Sequence, residues 1–162
     1  MNATHALRDR LLVLLYWLLG IRYIKFGLVG ASGAGVNLAV LYLGHEYLFQ
    51  SLEGPGGKPY ASLALAIALA TVNNFTWNRL WTWADRMAQP PQDAQLPAQP
   101  RTSLGGQLIK YALASWFGIG LQYGITMWLA HTMHYMLANV IAIVIASVSN
   151  YLANDRWTFR KR

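Results

Sequence analysis

Two asparagines four residues apart, a guanidinium and an indole close an apolar stretch at Asn74, Asn78, Arg79 and Trp81. The same residue types close a second stretch at Asn150, Asn154, Arg156 and Trp157. A lysine stands where each helical region begins, Lys25 in one case and Lys110 in the other. An amide donates and accepts hydrogen bonds. A guanidinium or ammonium holds an anion through charge-assisted bonds. An indole supplies a flat apolar face with one polar edge. This set is equipped to bind rather than to break bonds.

Chemistry that would break bonds finds little support. There is no paired-carboxylate motif, Asp-rich metal site or Ser-His-Asp grouping with supporting spacing. Cysteine is absent, which removes thiolate nucleophiles and thiolate metal ligands. No Gly-rich Lys-Ser/Thr phosphate loop occurs, so ATP hydrolysis within the chain is not expected. His45, Glu46, His131 and His134 read as polar residues at hairpin ends. The expectation is therefore a non-enzyme with no cofactor and no metal.

Plainer roles exist for each binding candidate. Buried asparagine glues membrane helices at about 0.6 kcal/mol or somewhat more. Trp81, Trp83, Trp157 and Phe159 have the composition of an interfacial aromatic belt. Lys25, Lys110, Arg79 and Arg156 suit stop-transfer anchors. The argument for function is that amide ladder, cation and indole recur together in one order.

The elements that must position these residues follow from composition. The chain has 162 residues, of which 55% are hydrophobic and only 12% charged. Soluble domains carry about 25% charged residues, so the balance points to a membrane. The net charge of +7 would suggest nucleic acid in a soluble protein. Here the basic residues flank apolar runs, so topology explains them and no nucleic-acid partner is expected. Spans are expected at 26–48, 60–79, 109–130 and 135–155, each long enough for about 30 Å of hydrocarbon. Period-two alternation is missing, which argues against a β-barrel. Residues 11–21 are apolar but too short to span. They predict an N-terminal interfacial helix with Tyr16 and Trp17 at headgroup depth, or else an extension of the first span. Residues 84–106 hold four of the six prolines and predict an extended polar linker.

The two halves also align beyond their exits. Lys25 meets Lys110, Phe26 meets Tyr111, Gly33 meets Gly118, Gly35 meets Gly120 and Asn37 meets Gln122. Asn74, Phe75, Asn78, Trp81, Thr82 and Trp83 meet Asn150, Tyr151, Asn154, Trp157, Thr158 and Phe159. The predicted organisation is an interfacial segment 1–22, a helix pair 23–83, a linker 84–106 and a second pair 107–162. The fold class is all-α integral membrane, four helices as two parallel helix-pair repeats. Ala66, Ala70, Asn74 and Asn78 share one helix face, as do Ala142, Ala146, Asn150 and Asn154. The small members let backbones approach. Gly30, Gly33 and Gly35, with Gly118, Gly120 and Gly124, predict matching small patches on the facing helices.

The Lys-Phe-x-x-Val-Gly entry at 25–30 and the Asn-x-x-x-Asn-Arg-x-Trp-Thr-aromatic exit at 74–83 resemble the GtrA-like family of small bacterial membrane proteins. A weaker second copy lies at 110–122 and 150–159, with Asp155 where the first has Arg79 and Arg156 one place later. The resemblance implies a flippase for a polyprenyl-phosphate-linked sugar, with undecaprenyl phosphate as carrier, serving surface polysaccharide synthesis or glycosylation. It also implies a bacterial cytoplasmic membrane and a partner glycosyltransferase. Lys25, Arg79, Lys110 and Arg156 would then hold phosphate. Asn74, Asn78, Asn150 and Asn154 would meet sugar hydroxyls, and Trp81 and Trp157 a sugar ring. Asn37 and Gln122 would be polar groups near midplane. Four helices enclose little, so a lateral groove or a homodimer is expected, with membrane lipids around it. Two other functions compete: a scaffold recruiting a glycosyltransferase, and a small multidrug-type exporter. Apart from Asp155 at the last residue of a span, Glu46 is the only acidic residue within one and lies near its outer end, which disfavours cation export.

Charge sets the orientation. Arg8, Arg10, Arg22 and Lys25 precede the first span; Arg79, Arg86, Arg101 and Lys110 surround the linker; Arg156, Arg160, Lys161 and Arg162 close the chain. Only Lys58 lies in a hairpin. Both termini and the linker are therefore expected in the cytoplasm. Single substitutions Ser51→Cys and Gln95→Cys should label with a membrane-impermeant maleimide from opposite sides. Labelling of both from outside refutes this topology.

Overall fold

A computed structural model describes residues 3–52, 54, 57–88 and 103–160. Every regular element among them is helical. The chain divides into two compact units, Met1–Ala84 and Asp85–Arg162.

The first unit opens with α1, Ala3–Gly20. Ile21 is extended (φ −80°, ψ 115°), so α1 ends there and is not a continuation of the next helix. Leu12, Val13, Leu14 and Trp17 are exposed along it. The side chain of Tyr16 lies outside the described residues. Helix α2, Arg22–Leu43, continues into a wider π turn, Gly44–Leu48. Helix α3, Lys58–Trp77, begins with a proline in its first turn, where the missing N–H has no partner to lose. It too widens at its end, over Asn78–Thr82. A short helix α4, Ala84–Ala88, follows. The start of the expected extended linker is thus helical, and residues 89–102 lie outside the described residues.

In the second unit, α5 spans Leu104–Leu129 and α6 spans Tyr135–Ala153. Ser103 Oγ caps α5 by accepting from the Gly106 N–H at 3.1 Å. The His134 imidazole caps α6, accepting from Met136 N at 3.4 Å. A π turn, Asn154–Thr158, again closes the helix. The π turns carry the helices beyond the expected ends at 79 and 155. Arg22–Leu48 and Tyr135–Thr158 are long and apolar enough to cross a membrane, with mean hydropathy 1.6 and 1.8.

Burial in both units is inverted relative to a soluble protein. The buried strip of α3 is Ser62, Ala66 and Ala70, and that of α6 is Ala138, Ala142 and Ala146. Large residues such as Leu38, Ile119, Tyr123 and Trp128 are exposed. In hydrocarbon an exposed leucine costs nothing, and helices gain by close backbone contact across small residues. The alanine ladders therefore lie where their spacing placed them.

The glycines behave less uniformly. A Cβ on Gly33 would fall inside the Asn74 amide, and one on Gly118 would meet Asn150 Cβ at 3.4 Å. Gly30, Gly35, Gly120 and Gly124 have nothing within 4 Å. The expected small patches thus reduce to one glycine per pair, because each helix presents only one narrow stripe to its partner. Gly33→Ala should destabilise by about 1–3 kcal/mol, the usual overpacking cost. Gly35→Ala, open to lipid, should be neutral or stabilising by up to about 1 kcal/mol through helix propensity. Thermal unfolding in detergent checks both, and equal melting temperatures would mean that Asn74 swings aside.

Candidate functional site

The exit of each helix pair is built on a π turn. An ordinary α-helix would place residues four apart on one face. The wider turn inserts one more residue, so that two neighbours face inward at its end. Thr82 and Trp83 are both buried in the first unit, and Thr158 and Phe159 in the second. The turns close with Trp83 N donating to Asn78 O at 2.9 Å and Phe159 N to Asn154 O at 2.8 Å. Isolated π turns of this kind recur at functional sites.

The rings turned inward meet the start of the facing helix. Trp83 lies edge-on to Phe26, with ring centroids 5.9 Å apart, and Phe159 to Tyr111 at 6.2 Å. Trp83 and Phe159 are 0% exposed. They are core residues, not members of an interfacial belt, because the π turn rotates them inside. Trp81 and Trp157 stay partly exposed. The Lys25 ammonium lies 5.7 Å from the Trp81 ring centroid, and the Lys110 ammonium 5.8 Å from that of Trp157. An ammonium over an indole face is held by the ring quadrupole, for roughly 0.5–1 kcal/mol at exposed sites.

The amides are more deeply placed than a headgroup position would require. Asn78 is 1% exposed and Asn154 0%. Asn78 Oδ1 accepts from the Thr82 hydroxyl at 2.8 Å. Asn154 Nδ2 donates to Asn150 O at 3.0 Å and to Asn150 Oδ1 at 2.8 Å. Asn74 and Asn150 are half-buried against Gly33 and Gly118. Arg79 is half-buried and Arg156 exposed. Asn37 is half-buried; Gln122 donates to Asn139 Oδ1 at 3.1 Å, which also accepts from Thr126 at 3.3 Å. Asn139 escaped the sequence reading because its two partners lie on another helix. Among the described residues, no group of three or more His, Cys, Asp or Glu is placed to hold a metal ion.

In the first unit a groove of ≈590 Å³ runs between α2 and the exit of α3. It is lined by Leu28, Val29, Ser32, Trp77, Leu80 and Trp81. Asn73 Nδ2 donates to Ser32 Oγ at 3.3 Å at its polar side.

The family model for the GtrA/DPMS transmembrane domain matches residues 25–134 and 110–162. The chain belongs to this family. It is a membrane protein, as the family and the two apolar helices require. It is also 31% identical over 140 residues to a dolichol-phosphate mannosyltransferase of Pyrococcus furiosus. That match covers 85% of this chain and 34% of the relative, so the chain spans about a third of the length of the curated relative it matches.

One functional-looking contact in this GtrA/DPMS chain was absent from the sequence reading. Arg86, at the start of the linker, forms a salt bridge with Asp155 at 2.9 Å. It also donates to the carbonyls of Asp155 at 2.7 Å and Phe159 at 3.0 Å. Those carbonyls end the π turn, so Arg86 serves as its C-terminal cap. Asp155 is thereby a fastening point, whereas Arg79, its counterpart in the first unit, is a cation. With side chains 11% and 22% exposed, the ion pair is largely desolvated. Asp155→Asn and Arg86→Ala should each lower stability by about 1–3 kcal/mol, the worth of hydrogen bonds to charged groups. Detergent melting reads this, and unchanged midpoints in both would show that the clamp holds nothing.

Proposed function

We propose that this chain translocates a polyprenyl-phosphate-linked sugar from the cytoplasmic to the outer leaflet. In this reading four helices, α2, α3, α5 and α6, cross a bacterial cytoplasmic membrane as two parallel copies of one helix pair. The termini and linker are cytoplasmic, and α1 lies in the interface on its exposed Leu12, Val13, Leu14 and Trp17. The chain is not an enzyme; it carries a product made elsewhere.

The observation that supports this most is the cation held beside each exit tryptophan, 5.7 and 5.8 Å from the ring. The substrate class has one anionic phosphate, a hydroxyl-rich head and a long apolar tail. Lys25 and Lys110, with Arg79 and Arg156, offer charge at the depth where a phosphate enters. Trp81 and Trp157 offer a ring face to the sugar. Asn74 and Asn150, half-buried, are more accessible than Asn78 and Asn154, which are buried within the helix pairs. A charge at midplane costs at least about 2.5–3.5 kcal/mol, so a polar path is needed for the head while the tail stays in lipid.

A second reading is a membrane anchor that recruits a glycosyltransferase. It is favoured by the match to one third of a mannosyltransferase. Vesicles containing only this protein and a fluorescent polyprenyl-phosphate sugar separate the two. Transport is expected, and the double variant Lys25→Ala/Lys110→Ala should slow it about tenfold or more, from loss of charged hydrogen bonds. Vesicles that show no transport, with wild-type protein well folded, would leave the anchor reading.

A further inference from the structure

The interiors of the two helix pairs share a ladder of small residues, a buried asparagine and an inward ring, but their outer strips differ in kind. The groove of the first unit has no equivalent set of residues in the second. Leu28 corresponds to Leu113, but Ser32 corresponds to Phe117, Trp77 to Ala153 and Leu80 to Arg156. Phe117 is 63% exposed and Arg156 is exposed. A bulky ring thus stands where Ser32 leaves room, and a guanidinium where Leu80 offers a methyl surface.

The groove has a polarity of its own. Its lining is apolar except for Ser32, and its volume of ≈590 Å³ is that of a small-molecule site. Trp81 lines it and carries the Lys25 ammonium over its ring. An apolar trough with the Lys25 ammonium at one end suits an apolar chain that ends in an anion. A diacyl lipid would bring two chains to one trough; an isoprenoid phosphate brings one.

We propose that the lipid is held on the first helix pair alone, with its phosphate at Lys25 and the first isoprene units of its chain in the groove. The second pair keeps the framework and its Lys110–Trp157 contact, but its strip does not accept the chain. This rests on the reading of the protein as a binder of polyprenyl-phosphate lipids and makes that binding one-sided.

The full chain in nanodiscs, titrated with a fluorescent short-chain polyprenyl phosphate without sugar, tests this. Lys25→Ala should weaken binding about tenfold or more, as loss of a charged hydrogen bond does, and Lys110→Ala less than about twofold. Ser32→Phe, which copies the second strip, should abolish binding, and Ser32→Ala should retain it. If Ser32→Phe lowers the melting temperature, Leu80→Arg replaces it, with the same expected loss. Equal losses from Lys25→Ala and Lys110→Ala would overturn the one-sided site and leave lipid binding standing. No loss from either would overturn the lipid-binding reading itself. Competition by phosphatidic acid as strong as by polyprenyl phosphate would show a site for any anionic lipid and overturn the isoprenoid occupant.

Discussion

The close approach of two helices within each pair is the constraint on which the other features depend. A Cβ on Gly33 would overlap the Asn74 amide, and one on Gly118 would just reach van der Waals contact with Asn150. Serine and alanine line the middle of the buried strip, and larger residues such as Phe75 are buried only toward its end. Bulky aliphatic side chains are displaced outward, where lipid solvates them. Once the strip is narrow, an asparagine on it is buried and must find partners along its own helix. Asn154 does so with Asn150, and Asn78 with Thr82.

The π turns are a consequence of the same narrowness. Beyond Asn78 and Asn154 the stripe must widen to accept an aromatic ring. One extra residue per turn brings both a threonine and a ring to the inside, and the ring closes against Phe26 or Tyr111. The two units satisfy their polar atoms differently. In the first, the threonine hydroxyl bonds the asparagine at 2.8 Å. In the second, Asn154 Oδ1 and Thr158 Oγ1 are buried without a partner among the described residues. An unsatisfied buried group costs about 1–3 kcal/mol. The ion pair and carbonyl bonds of Arg86 fasten that second turn and offset such a cost.

Much of this was readable in the sequence, and the failures have physical reasons. The alanine ladders and the placing of Asn74 and Asn150 follow from spacing, because a buried helix face repeats with a fixed period. The lysine–tryptophan partnership was implied only by co-occurrence; the contact itself depends on how helix entry and exit meet. The π turns were invisible, since five residues are too few to reveal a change of period. They misplaced Trp83 and Phe159, whose composition alone suggested a belt. Arg86 was lost in a proline-rich linker because its partner, Asp155, is distant in sequence and its value lies in two backbone carbonyls. The choice of Gly33 over Gly30 or Gly35 was likewise unreadable, as glycine marks permission to approach, not approach itself.

A framework that appears in both units while the exteriors differ divides the labour between packing and binding. The interior is pinned by sterics: changing one small residue disturbs its partner helix, so both units keep the same strip. The lipid-facing surface carries no such penalty, since hydrocarbon accepts Ser32 or Phe117, Leu80 or a snorkelling Arg156 at little cost. The buried positions differ in size and polarity, Trp83 against Phe159 and Phe26 against Tyr111, while the exposed ones differ in kind, Ser32 against Phe117 and Leu80 against Arg156. A groove beside Lys25 and a clamp at Asp155 each border the packed interior, the one at Val29 and the other at the Phe159 carbonyl.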